Sequence, residues 1–225
     1  MKKKTIFING YFINPINNTQ ELLNIFLING VLVGFGYLPD EKEEDLEIIN
    51  LNRAFIIPNI IDLSPNEQTF VSVKNKDELV KAKHNNIPFI GTSPYYFFSN
   101  EIKNHDKNFL FDSIKDNSIT ILHSFCDLKI QPRKTHLPLT VSLILNNFGQ
   151  CEEIEKGLLT EKISTNICAM KNQKYPGLKL GSKINFMIFD PKKKQSINLF
   201  NKNIELKGLV TYHVENGEIK KINYE

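Results

Sequence analysis

Two short stretches carry residue types that do chemistry. The segment "HSFCD" sets the imidazole of His123 three residues before the thiol of Cys126, with Asp127 beside it. Imidazole nitrogen and thiolate sulfur are common zinc donors, so this spacing could hold part of a metal site. No further ligands stand at a readable spacing, and a hydrogen-bonded histidine beside a buried thiol is the better account. His105-Asp106 sets a base next to a carboxylate, but no serine or cysteine elbow accompanies it, and a solvated loop explains it better. His84, His136 and His213 stand alone and read as surface or packing residues. Cys126, Cys151 and Cys168 are an odd, widely spaced set with no CxxC, which reads as reduced thiols rather than a disulfide framework. Gly34-Phe35-Gly36 precedes no helix start and is not a dinucleotide loop.

A third stretch is built to position residues. "FIIPNIIDLSPNEQ" is an apolar, β-branched run that ends on Asp62 and Leu63 and hands over to Ser64, Asn66 and Gln68. The aromatic run Tyr95-Tyr96-Phe97-Phe98 has two readings, core packing (or closure of a shortened layer) or an exposed interaction patch.

The elements around these stretches change along the chain. Residues 5–8 and 11–13 flank Asn9-Gly10, and residues 24–28 and 31–35 flank Asn29-Gly30. Both dipeptides predict type I′ hairpins. Residues 47–51 and 54–57 read as short strands around a turn at Asn52-Arg53, after a charged loop at 40–45. In the middle, residues 76–84 have helical spacing and precede an apolar segment at 87–90. Residues 100–117 fit no single pattern, and 118–122 predict a strand. Residues 137–147 predict a helix with Pro138 in its first turn, where the missing N–H costs little. Residues 151–159 and 164–170 are further helical candidates. The end returns to strands: 184–189, stopping at Asp190-Pro191, then 206–214 and 218–223 around Glu215-Asn216-Gly217. β-rich segments at both ends of a mixed centre imply a discontinuous β domain with an insertion.

Composition bounds the function. The chain has 225 residues, 41% hydrophobic and 24% charged, as a globular protein does. No apolar run approaches the roughly 20 residues of a membrane helix. The basic start "MKKKTIF" is broken by Asn9-Gly10 too soon for a signal peptide, so a cytoplasmic location is expected. The net charge of +3 comes from lysines spread along the chain, with Arg53 and Arg133 the only arginines. Nucleic-acid binders cluster such charge on one face, so neither nucleic acid nor membrane is expected as a partner. The lysine runs at 2–4 and 192–194 read as solvated turns or ends.

The order of these motifs resembles the cyclic-amide branch of the amidohydrolase superfamily, dihydroorotase most closely. "NGYFINPINNTQELLNIFLINGVLVGFG" is similar to the family's opening pattern, and "AFIIPNIIDL" to its run into the first barrel strand. "LLTEKISTNICAMKNQKYPGLKLGSKINFMIFDP" and "LKGLVTYHVENGEI" are similar to its closing patterns. The resemblance covers both ends well and the centre in fragments. It implies an α/β fold: a composite β-sandwich from both termini (residues 1–58 and 178–225) around a truncated, incomplete (β/α) barrel-derived layer (59–177).

The same resemblance implies that the inherited chemistry is lost. The family carries His-x-His after the Asp-hydrophobic pair, two imidazoles that face one metal and help activate its water. Ser64 and Asn66 stand there instead, and both are poor zinc ligands. Gln68 replaces an arginine that pairs with the substrate carboxylate, and Tyr95, after Ser93-Pro94, replaces a substrate-binding asparagine. In "LHSF", His123 is kept but Leu122 takes the place of the catalytic aspartate, and an aliphatic chain moves no proton. Residues 62–175 also fall short of the roughly 200 or more that a complete (β/α)₈ barrel takes. No catalytic, metal or substrate-binding residue is therefore assigned, and zinc is expected only if a divergent amidohydrolase has rebuilt its site. The expected role is structural or regulatory in pyrimidine biosynthesis, with aspartate carbamoyltransferase or a second copy of the chain as partner.

Overall fold

The computed structural model describes residues 3–17, 19–36, 45–58, 70–93, 103–116, 118–121, 136–148, 177–199 and 202–224. The expected charged loop at 40–45 (apart from Asp45), the helices at 151–159 and 164–170, and the aromatic run at 95–98 lie outside them.

Strand β1 (Lys4–Asn14) organises the N-terminal part. On one edge it pairs antiparallel with β2 (Thr19–Ile28), which turns through Asn29-Gly30 into β3 (Val31–Phe35). Asn29 and Gly30 both have positive φ, as a type I′ turn requires. The other edge of β1 is shared. Its first half pairs in parallel with β4 (Leu46–Asn50), and Tyr11 and Phe12 pair with β5 (Phe55–Pro58). The expected hairpin at Asn9-Gly10 is not formed. Strand β1 runs straight through it, and the register with β2 slips between Phe7 and Gly10. Asn9, at φ 58°, is the extra residue of a β-bulge, and its N–H donates to Asn24 Oδ1 at 3.0 Å. The dipeptide supplies the backbone freedom a turn needs, but β2 offers a partner on both sides of it, so the strand continues.

The C-terminal part closes onto this sheet. Strand β9 (Phe186–Leu199) pairs with β10 (Lys202–Glu215), which turns at Asn216-Gly217 into β11 (Glu218–Lys221). Strand β9 does not stop at Asp190-Pro191 as expected. Asp190 pairs with Leu209 and Lys194 with Lys207, so residues 191–193 bulge out opposite Gly208. Pro191 is tolerated because a bulged residue owes the ladder no N–H. The two ends of the chain meet where β5 pairs antiparallel with β9, Phe55 opposite Phe189 and Pro58 opposite Phe186. Among the described residues eight strands thus form one sheet, in the order β11-β10-β9-β5-β1-β2-β3 with β4 on the edge of β1. The ring of Phe7 meets that of Phe186 edge to face at 5.3 Å, packing a strand from each end against the other.

The middle of the chain forms a second sheet. Strands β6 (Phe70–Ser72), β7 (Phe89–Thr92) and β8 (Thr120–Ile121) are parallel and in that order. Helix α1 (Lys76–His84) crosses from β6 to β7, and α2 (Asn104–Lys115) from β7 to β8. Helix α1 spans the residues its spacing predicts. Asn75 caps it, accepting from the Glu78 N–H at 3.0 Å, while Glu78 Oε2 accepts from the Lys74 N–H at 2.7 Å. Helix α2 occupies the stretch with no readable pattern, because its buried side chains are reduced to Leu110, Ser113 and Ile114. Helix α3 (His136–Phe148) includes the predicted 137–147.

One apolar cluster ties the layers together. Leu79 of α1, Leu110 and Ile114 of α2, and Val141 and Ile144 of α3 pack with Phe55 and Ile57 of β5 and with Met187, Phe189 and Val210. The opposite side of β5 belongs to a second cluster, through Ile56 with Phe7, Ile25 and Phe186.

Candidate functional site

Strand β5 is buried along its whole length. Phe55 and Ile57 face one cluster and Ile56 the other, which is why the run is continuously apolar rather than alternating. At Pro58 the strand leaves the large sheet, and the chain re-enters the described structure at β6. Ser64, Asn66 and Gln68 lie between, outside the described residues, as do Tyr95, Leu122, His123, Cys126 and Asp127.

The described part of the candidate site is the C-terminal edge of the parallel sheet, where open parallel α/β sheets commonly bind ligands. Strand β6 ends on Ser72, and β7 ends on Thr92 and runs into Ser93. Ser72 is in register with Gly91, and Gly91 with Thr120. Thr92 is fully buried and Ser93 is 3% exposed. The hydroxyls of Ser72, Thr92 and Ser93 are all buried with no hydrogen-bond partner. An unpaired buried hydroxyl costs roughly 1–3 kcal/mol, so three along two neighbouring strand ends mark this edge as one that calls for a polar partner.

These groups can donate to or accept from a neutral polar molecule. They do not fit zinc, since a serine or threonine hydroxyl would have to lose a high-pKa proton to bind it. Nor can they serve as acid or base near neutral pH. Among the described residues no three His, Cys, Asp or Glu side chains gather as a metal site would need. His105 and Asp106 do face each other, Nε2 to Oδ2 3.4 Å, but His105 is largely exposed. They stand in the first turn of α2, not in the expected loop. His84 ends α1, and His213 lies half-buried on β10. Of the hydroxyl trio, sequence reasoning singled out Ser93 alone. The signal for the others was a hydroxyl closing each short apolar run, in "FVS" and "FIGTS".

This mixed α/β chain, mostly sheet, has a fold similar to that of solved hydantoinases and dihydropyrimidinases. The D-hydantoinase (dihydropyrimidinase) from Thermus sp. superposes with a TM-score of 0.71 at 9% identity, covering 96% of this chain and 94% of that one. The L-hydantoinase (dihydropyrimidinase) from Arthrobacter aurescens gives 0.70 at 7% identity, covering 100% and 98%. The dihydropyrimidinase from Brevibacillus agri NCHU1002 gives 0.64 at 10% identity, covering 96% and 94%. At these identities the likeness is one of fold. No protein-family model and no curated protein sequence matches the chain. Among the described residues no helix is long and apolar enough to cross a membrane.

Proposed function

We propose that this chain is a non-catalytic, dihydroorotase-like relative of the cyclic amidohydrolases, acting as a structural or regulatory partner in pyrimidine biosynthesis. In this reading residues 1–58 and 178–225 are the composite β-sandwich and 59–177 a reduced barrel layer in a cytoplasmic protein. The observation that carries it is the contrast at β5. The strand that in the resembling family delivers two metal-binding histidines is kept, buried on both faces and paired on both edges. The residues it delivers are Ser64 and Asn66. The hydroxyls of Ser72, Thr92 and Ser93 support the same reading, because they line the neighbouring strand ends with neutral groups. A partly built barrel leaves strand edges that need a cover, which aspartate carbamoyltransferase or a second copy of this chain would provide.

Affinity purification from the native host, followed by mass spectrometry and sizing, tests the assembly role. Co-purification of aspartate carbamoyltransferase or a dihydroorotase, or a defined homo-oligomer, is the expected result. A protein that runs alone as a monomer sinks it.

The nearly full-length superposition on hydantoinases favours a second reading, a divergent metal-dependent amidohydrolase that opens a cyclic amide at a rebuilt site. Metal analysis with dihydroorotate and hydantoin assays separates the two. Stoichiometric zinc, with turnover that a chelator abolishes, establishes the enzyme and removes the non-catalytic reading.

A further inference from the structure

Three interruptions of the large sheet converge beside β1. The bulge of β1 holds Asn9 at φ 58°. The turn from β4 to β5 holds Asn52 and Arg53 at φ 48° and 68°. The bulge of β9 sets residues 191–193 outside the ladder. Bulges commonly re-aim side chains beside functional sites. Here they frame an open surface cavity of about 480 Å³ lined by the exposed residues Asn9, Leu22, Asn50, Asn52, Arg53 and Lys192. A second cavity, of about 370 Å³, shares Asn50 and Asn52 and adds Lys193 and Lys221 to the wall, with Asp190 the one acidic residue. The Asp190 carboxylate is already engaged, accepting from the Lys192 N–H at 2.9 Å.

Arg53 is the unusual member. Its backbone occupies the left-handed region, where a Cβ is penalised and glycine is the natural choice. The turn is held there by bonds to the β1 bulge: Arg53 N–H to Asn9 O at 2.8 Å, Leu51 N–H to Ile8 O at 2.9 Å and Tyr11 N–H to Ala54 O at 2.9 Å. The side chain of Arg53 is exposed. Among the described residues neither Arg53 nor Lys192 forms an ion pair. Backbone strain kept at a position whose side chain lines a basic cavity points to a ligand.

We propose that this cavity binds an oxyanion group, a phosphate or carboxylate of a small molecule, with Arg53 as its forked partner and Lys192 as the second charge. A guanidinium offers two parallel donors that fit either group, and Lys192 adds a mobile ammonium. The site lies on the large sheet, away from the hydroxyl edge of β6 and β7, and does not depend on the assembly role.

The test titrates the full chain with inorganic phosphate and, separately, with succinate, at ionic strength held constant with sodium chloride. Calorimetry and thermal midpoint are the readouts. Saturable binding of either anion is expected, phosphate alone assigning a phosphoryl ligand and succinate alone a carboxylate. Arg53→Gly weakens binding at least tenfold, while its midpoint without anion stays the same or rises, because glycine suits that φ. Lys192→Ala, on the exposed bulge, weakens binding severalfold with an unchanged midpoint. Unsaturable binding, a midpoint shift reproduced by chloride alone, or wild-type affinity in both variants overturns the proposal.

Discussion

Gly30 and Gly217 meet turn to turn. One closes the β2–β3 hairpin and the other the β10–β11 hairpin, at φ 77° and 78°. A methyl group on Gly30 would lie 2.7 Å from the Gly217 carbonyl carbon, and one on Gly217 would lie 2.7 Å from the Gly30 carbonyl carbon. Two Asn-Gly turns nearly 190 positions apart thus form a single backbone contact between the two ends of the chain. Either glycine replaced by alanine meets both a left-handed penalty of about 1–2 kcal/mol and an overpacking cost of about 1–3 kcal/mol. Urea denaturation should show each single variant destabilised by about 2–5 kcal/mol. The double variant should lose less than the sum, since the first methyl already parts the turns. Strict additivity would mean the turns do not touch.

Helix α3 is held to the large sheet by a small polar network. The Val210 N–H donates to Ser142 Oγ at 2.9 Å, and Ser142 Oγ donates to Pro138 O at 2.8 Å. The Tyr224 hydroxyl donates to Val210 O at 2.9 Å and lies 3.0 Å from Ser142 Oγ. Burial pushes the tyrosine pKa up, with the Ser142 and Val210 hydrogen bonds opposing, so it stays neutral and able to donate. Ser142→Ala leaves the buried Val210 N–H without a partner and should cost about 1–3 kcal/mol. Tyr224→Phe should cost about 1 kcal/mol, since Ser142 keeps Val210 N–H paired. Hydrogen exchange of the Val210 amide, faster in Ser142→Ala than in Tyr224→Phe, checks the ordering.

Stability should depend on pH through His213. Burial lowers its pKa below the usual 6.5, with Glu215 opposing and Lys220 assisting. The unfolded chain therefore takes up a proton at a pH where the folded chain does not. This share of stability is whole above pH 6.5 and is lost as pH falls through the folded value. The Lys220 hydrogen bond lowers Glu215 below the usual 4.5, adding a second loss at more acidic pH. His213→Gln should flatten the upper limb of a pH–denaturant profile and leave the lower one. An unchanged upper limb would assign it elsewhere.

Thr92→Val tests the hydroxyl edge. Its Oγ1 is fully buried and unpaired, so a methyl of the same shape should raise stability by about 1–2 kcal/mol. A loss of stability on thermal denaturation would show that a bound polar molecule satisfies the hydroxyl.

Several elements were legible because their causes are local. Asn75 and the apolar positions Leu79 and Ala82 suffice to start and orient α1. Asn29-Gly30 and Asn216-Gly217 turn because each dipeptide tolerates positive φ and is followed at once by a strand that can fold back. Asn9-Gly10 carries the same signal, yet it bulges within β1, and Asp190-Pro191 bulges within β9. In both, the deciding partner lies on the next strand, outside the dipeptide's own window: Leu23 to Ile25 for the first, Lys207 to Leu209 for the second. The trio Ser72, Thr92 and Ser93 was hidden for the same reason, since which strand ends lie side by side follows from parallel pairing across helices.

By itself the sequence determined which residues stand after the β5 run, Ser64 and Asn66, and so the donor chemistry open to them, because ionisation and ligand strength belong to side chains. It also determined the β-rich ends, since alternation and Asn-Gly turns act over a few residues. Tertiary structure alone decided that Phe55–Pro58 would be clamped between β1 and β9, and that Arg53 would share a cavity wall with Lys192. The β5–β9 pairing and the Arg53–Lys192 wall join segments over a hundred residues apart, whereas the ladders that override the turn signals at Asn9 and Asp190 form with the next strand, still beyond the few residues over which a turn dipeptide acts.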